Sequence, residues 1–193
     1  TNWTGTPDNT VPGASDVAVF GNTGAAASGA TSTVGANISI GGLTFNHTAN
    51  QHSVDILSGV TLSLGGNFTA NTTATSNITG LGKLAQTGTN FDVAASTGGA
   101  TTVVNLADLT EFSSSVTNFR VGFSTSNSSG SMVGTLTLAN TNTIAATNLF
   151  VGVSSAGTST NGGTGTVNFG QSNTIYADTI TIGAGMTYAE IEA

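Results

Sequence analysis

The sequence contains no cysteine. A disulfide framework, a cysteine-ligated zinc site and a thiol nucleophile are therefore excluded. Charge is nearly as scarce. Among 193 residues there are two cations, Lys83 and Arg120, against nine carboxylates, for a net charge of −7. A nucleic-acid binder needs Lys and Arg to displace counterions from phosphates, so no nucleic-acid partner is expected. A polybasic membrane-surface site is excluded on the same ground. No run of about 20 apolar residues is present, so no membrane-spanning helix and no direct membrane insertion are expected. The two prolines, Pro7 and Pro12, both precede residue 13 and leave the rest free of strand breakers. Aromatic residues make up 6%.

What remains is neutral polarity around an apolar pattern. Ser, Thr and Asn supply about two residues in five, glycine 27 positions, and hydrophobic residues 37%. That is enough apolar material, in enough chain, for one domain with a core over residues 1–193. No signal peptide is visible and the chain starts at Thr1, which suggests a processed or trimmed chain. Such low charge fits a surface polymer better than a crowded cytosol, and the expected location is extracellular.

Helical periodicity is confined to Asn105–Phe112, where Leu106, Leu109 and Phe112 can share one helical face. Elsewhere apolar residues alternate at period two in short runs bounded by Gly, Ser, Asn or Thr, as in Val17–Phe20, Val60–Leu64 and Thr166–Phe169. β-Branched residues in that pattern predict many short strands.

The strands repeat. Gly134–Val153 (GTLTLANTNTIAATNLFVGV) aligns without a gap on Gly165–Ala184 (GTVNFGQSNTIYADTITIGA), at an offset of 31. Thr117–Phe123 (TNFRVGF) matches Thr147–Val153 (TNLFVGV) at an offset of 30. A fixed period of this kind predicts an all-β, parallel β-helix or β-solenoid with coils of about 30 residues including loops, clearest over 100–193. A β-sandwich would share the short strands but not the fixed offset. Leu136, Leu138, Ile144, Val151 and Val153 would point inward in one coil, and Val167, Phe169, Ile175, Ile180 and Ile182 in the next. Gly152 and Gly183 would turn one corner, Asn142 and Asn173 would form an amide ladder, and Ser124–Ser131 and Ser154–Gly163 would loop outward. Residues 1–20, with Trp3, read as an N-terminal cap. The C-terminal stretch keeps alternating, with Met186, Tyr188 and Ile191 in a final strand and no cap. That implies a continuing chain or a docking subunit.

The opening segment Asn2–Gly21 (NWTGTPDNTVPGASDVAVFG), with Asn37–Phe45 and Val60–Gly66, resembles the start of autotransporter-type passenger proteins. Ile78–Ala95 (ITGLGKLAQTGTNFDVAA) resembles the passenger-associated β-strand repeat, with Gly80, Gly82, Leu84 and Gly88 in its places. The resemblance covers residues 2–95. It implies a right-handed parallel β-helix exported to a bacterial surface. Such passengers are usually longer and end in a membrane β-barrel or sorting tail, neither of which occurs in this sequence.

Residues able to carry chemistry are few. Asp108 and Glu111 lie close together, with Arg120 nine residues beyond Glu111. A surface ion pair beside a short helical insert explains them as well as catalysis does. His47 and His52, with Asp55 nearby, could hold a metal, but solvent-exposed turn histidines are the plainer expectation. No calcium repeat, serine-nucleophile, phosphate-loop or zincin motif is present. Sequons at Asn2, Asn37, Asn46, Asn67, Asn71, Asn77 and Asn127 are about as many as 19 asparagines give by chance in so Ser/Thr-rich a chain. Thr135/Thr137 and Thr179/Thr181 are TxT pairs of the kind some ice-binding solenoids use, but Asn168 interrupts the ladder. The expectation is a non-enzymatic structural or adhesive module, without catalytic residues, cofactor or metal. It would contact surfaces or polysaccharides or associate with itself. The alternative is a self-assembling filament subunit, a homopolymer of coils stacked end to end. A carbohydrate-active enzyme and an ice-binding protein are further readings.

Overall fold

A computed structural model describes residues 12–21, 31–48, 51–96, 99–125, 131–155 and 162–183, and the backbone of 189–192. Trp3, Pro7 and most of the expected cap lie outside the described residues, as do Met186, Tyr188 and the centres of both expected loops. Every described element is a strand. In chain order these are β1 (Val17–Phe20), β2 (Thr31–Val34), β3 (Ile38–Ile40), β4 (Gly42–Phe45), β5 (His52–Ile56), β6 (Thr61–Leu64), β7 (Phe68–Ala70) and β8 (Thr75–Thr79). There follow β9 (Lys83–Ser96), β10 (Ala100–Asn105), β11 (Glu111–Ser124), β12 (Met132–Thr137), β13 (Thr141–Ser154), β14 (Gly163–Asn168), β15 (Ser172–Ile182) and β16 (Ala189–Glu192).

All pairings are parallel, and each coil alternates between two sheets. Sheet A runs β1-β4-β7-β9-β11-β13-β15, with β3 and β6 pairing along the first limb of β9. Sheet B runs β2-β5-β8-β10-β12-β14-β16. The chain is thus a β-solenoid. In the early coils sheet A takes two short strands per coil, such as β6 and β7. From β9 onward these fuse into one bent strand of up to 14 residues.

The period is not constant. Along the second limb of sheet A, the offset between partners is 25 at first (Val17 to Gly42, Leu43 to Phe68) and 23 at Phe68 to Phe91. The offset grows to 28 at Phe91 to Phe119, 30 at Phe119 to Leu149 and 31 at Leu149 to Ile180. The coil length expected from the repeat fits the last coils. The first are shorter mainly in the stretch from sheet A to sheet B, 7 residues from Phe68 to Thr75 against 16 from the equivalent Phe119 to Thr135.

Period-two alternation puts one face of every strand inside. Leu136, Leu138, Ile144, Val151 and Val153 are all buried, as their spacing predicts. Aromatic rings stack along the axis, Phe68 on Phe91 and Phe91 on Phe119, each at 4.5 Å between centroids and nearly coplanar. Each fully buried Phe contributes roughly 2–3 kcal/mol of hydrophobic stabilisation. In the last described coil the inward column is uncovered: Ile180 is 56% exposed and Ile182 45%, where Leu149 and Val151 below them are buried.

The expected helix over Asn105–Phe112 does not form. Asn105 ends β10, a turn closes from Leu109 N–H to Leu106 O (3.0 Å), and Glu111 opens β11. Thr110 N–H donates to Gly82 O of the preceding coil, so the donor a helix would use is taken by the stack. Leu106, Leu109 and Phe112 are nevertheless all buried. The expected loop segments also start and end differently: Ser124 and Ser154 are buried last residues of β11 and β13, and Gly163 opens β14.

Candidate functional site

The sheet A strands bend midway, and the bend carries a groove along the coil stack. In the early coils the groove has a volume of about 530 Å³ and is lined by Gly42, Gly66, Gly88, Thr69, Thr87 and Asn67, among others. Further along it has a volume of about 620 Å³, between Ser115, Ala145, Tyr176 and Asp178. Register makes these one feature. Gly88 pairs with Val116, Val116 with Ala146, and Ala146 with Ala177; Thr87, Ser115, Ala145 and Tyr176 form the adjacent column. A Cβ on Gly66 or Gly88 would strike the carbonyl oxygen of Gly41 or Gly66 in the coil before, so these two positions have no room for a side chain.

Beside the groove runs an amide ladder, of which Asn67 is a lining residue. Asn67, Asn90, Asn118 and Asn148 occupy equivalent places in four successive coils. Asn90 N–H donates to Asn67 Oδ1 (3.0 Å), Asn118 Nδ2 to Asn90 Oδ1 (3.0 Å) and Asn148 Nδ2 to Asn118 Oδ1 (3.1 Å). Beyond these contacts the side-chain amides keep further N–H and lone-pair capacity. The bend is braced from inside by buried Gln86, whose Nε2 donates to Gly66 O (3.0 Å) and Asn90 O (2.8 Å) and whose Oε1 accepts from Ser114 Oγ (3.2 Å). The expected ladder of Asn142 and Asn173 also exists, with Nδ2 donating to Oδ1 at 2.8 Å. The match at an offset of 30 already aligns Asn118 with Asn148, and the rung before it has its own sequence signal. Thr89–Ser96 (TNFDVAAS) matches Thr117–Ser124 (TNFRVGFS) at an offset of 28.

The charged residues do not assemble as expected. Asp108 is an exposed turn residue. Glu111 pairs across coils with Lys83 (2.6 Å), both about half exposed, a contact worth under about 1 kcal/mol. Arg120 pairs not with Asp108 or Glu111 but with Asp92, in a two-pronged contact with Nε to Oδ1 and Nη2 to Oδ2 both at 2.7 Å. Burial pushes the Asp92 carboxyl above its usual range, and the Arg120 guanidinium opposes that shift. The pairing follows from register: Asp92 and Arg120 are direct neighbours on β9 and β11.

The histidines overturn the expectation of exposed turn residues. His47 is fully buried and His52 nearly so, with ring centroids 4.7 Å apart and planes at 82°. Asp55, on the opposite face of β5 from His52, accepts from Thr79 Oγ1 (3.3 Å) and does not join them. Among the described residues no three His, Cys, Asp or Glu side chains come together as a metal site would require.

No family model matches the chain, and no characterised protein or solved structure does.

Proposed function

We propose that the chain is a non-enzymatic structural and adhesive module, displayed or secreted outside a bacterial cell, that holds a neutral polysaccharide along the bend of sheet A. The observation that supports this reading is the groove with its amide ladder. It runs across coils and carries one charge among its described lining residues, Asp178, while the ladder beside it repeats its amides at the strand spacing of about 4.8 Å. A hydroxyl-rich, uncharged polymer matches such a surface, whereas a polyanion meets no cation among those residues. The low charge of the whole chain has the same root. A charge repeated in every coil would face its own copy, while Thr, Ser and Asn stack without repulsion.

Retention on microcrystalline cellulose and chitin, with heparin beads as the polyanion probe, tests the proposal. Binding to a neutral polymer is expected, and Ala145→Arg, which fills the groove from its outward wall, should weaken it about tenfold or more with an unchanged circular dichroism spectrum. Absence of retention on both neutral polymers, or retention unaffected by the substitution, would overturn the reading.

A second reading is end-to-end assembly, favoured by the uncovered Ile180 and Ile182 of β15. In it a second copy supplies the next coil. Electron microscopy and sedimentation velocity check this: fibres or concentration-dependent oligomers are expected, and a monomer at all concentrations contradicts it.

A further inference from the structure

The groove along the bend of sheet A changes character from coil to coil. One outward column follows it, with Thr87, Ser115, Ala145 and Tyr176 in successive coils. Three of these side chains are small, and the fourth is an aromatic ring. Tyr176 is 65% exposed, whereas the other described aromatic rings are buried or half-buried. Two residues further along β15 stands Asp178, also exposed and also lining the groove. The rise of a strand puts the two Cα atoms about 6–7 Å apart. Ser115, Ala145 and Thr147 lie beside them with short side chains, so the ring and the carboxylate border an open floor. In the two coils before, the place of Asp178 is held by Thr147 and Thr117, so this charge faces no copy of itself.

We propose that Tyr176 and Asp178 form an anchoring subsite for one pyranose ring of a neutral polysaccharide: the phenol ring stacks against the sugar's C–H face, and the carboxylate accepts from two adjacent sugar hydroxyls. This subsite presupposes that the groove holds a polysaccharide, and it names the unit recognised there.

Amides and hydroxyls along the groove exchange water for sugar hydroxyls at little net gain, and they do so for any hydroxyl-rich chain. A pyranose differs from an open-chain polyol in presenting a face of C–H bonds. An exposed aromatic ring gains when such a face displaces water from it, and the small residues of the column offer no comparable area. Asp178 fixes the orientation. Its carboxylate is acceptor only, with two oxygens, and hydrogen bonds to a charged acceptor are stronger than those to a neutral amide. The two groups together select a ring with one apolar face and a free hydroxyl pair at its edge. A uronic acid or a sulfated sugar in the same place would be repelled by Asp178.

Retention on cellulose and chitin, read for the unaltered protein and for point variants, tests the subsite. Tyr176→Ala should weaken retention about tenfold or more, and Tyr176→Phe, which keeps the ring, should stay within about twofold of the unaltered protein. Asp178→Asn should weaken it about threefold or more. Both residues are exposed, so all three variants should keep the circular dichroism spectrum. Cellobiose should displace the protein from cellulose, and sorbitol at the same hydroxyl concentration should not. Unchanged retention of Tyr176→Ala or Asp178→Asn, with Ala145→Arg still weakening it, would overturn the subsite and leave the groove reading standing. Sorbitol competing as well as cellobiose would refute recognition of a ring. Absence of retention of the unaltered protein on both polymers would overturn the subsite and the groove reading together.

Discussion

Ala94 holds a left-handed backbone, φ 52°, that its counterparts one, two and three coils on give to glycine. Gly122, Gly152 and Gly183 have φ 65°, 62° and 62°. At this corner the sheets approach to backbone contact: a Cβ on Gly122 would strike the Thr164 carbonyl, and one on Gly165 would strike Gly152 N and Val121 O. Opposite substitutions in one column should therefore behave asymmetrically. Gly122→Ala combines an unfavourable backbone of roughly 1–2 kcal/mol with a collision against main chain and should cost about 3 kcal/mol or more. Ala94→Gly relieves strain of similar origin but loses a buried methyl and adds unfolded-state freedom, leaving it within about 1 kcal/mol of neutral. Urea denaturation of both variants checks this, and equal destabilisation would refute the argument.

At the scale of strands, what can be read from the sequence is whatever repeats. β12 to β15 follow from the gapless offset of 31, and the corner glycines and the Asn142–Asn173 ladder come with them. The early coils hide because their period is shorter, so an offset of 30 or 31 passes over them. Asp92 and Arg120 become partners only when coils are aligned at an offset of 28. The absent helix at Asn105–Phe112 shows another limit. Apolar residues three apart suit a helical face, yet the same spacing serves a strand end, a turn and a strand start whose donors go to the neighbouring coil. The histidines show a third. A polar turn is usually solvated, and Thr48 and Gln51 are exposed, but the two histidines beside them are buried, and the ring contacts of Phe20 and Phe45 come from separate coils.

For the whole molecule, stacking in register means that a coil is a unit that can be removed. Val121 and Val151 are neighbours in sheet A, one coil apart, and Gly122 and Gly152 share one backbone conformation. Deleting residues 121–150 joins Arg120 to Val151, keeps the Asp92–Arg120 pair, and brings β14 to the place β12 held beside β10. Residues 121–150 contain no charged side chain, so no ion is left unpaired. Deleting residues 121–135, half a coil, instead runs a sheet A strand directly into a sheet B strand. The full-coil deletion should keep a β-type circular dichroism spectrum and a cooperative melt, with the midpoint lowered by on the order of 10 °C. The half-coil deletion should lose the cooperative transition, because the coils after the junction no longer present their inward face to those before it. If both deletions melted alike, nearest-neighbour stacking of coils would not be what holds the chain together.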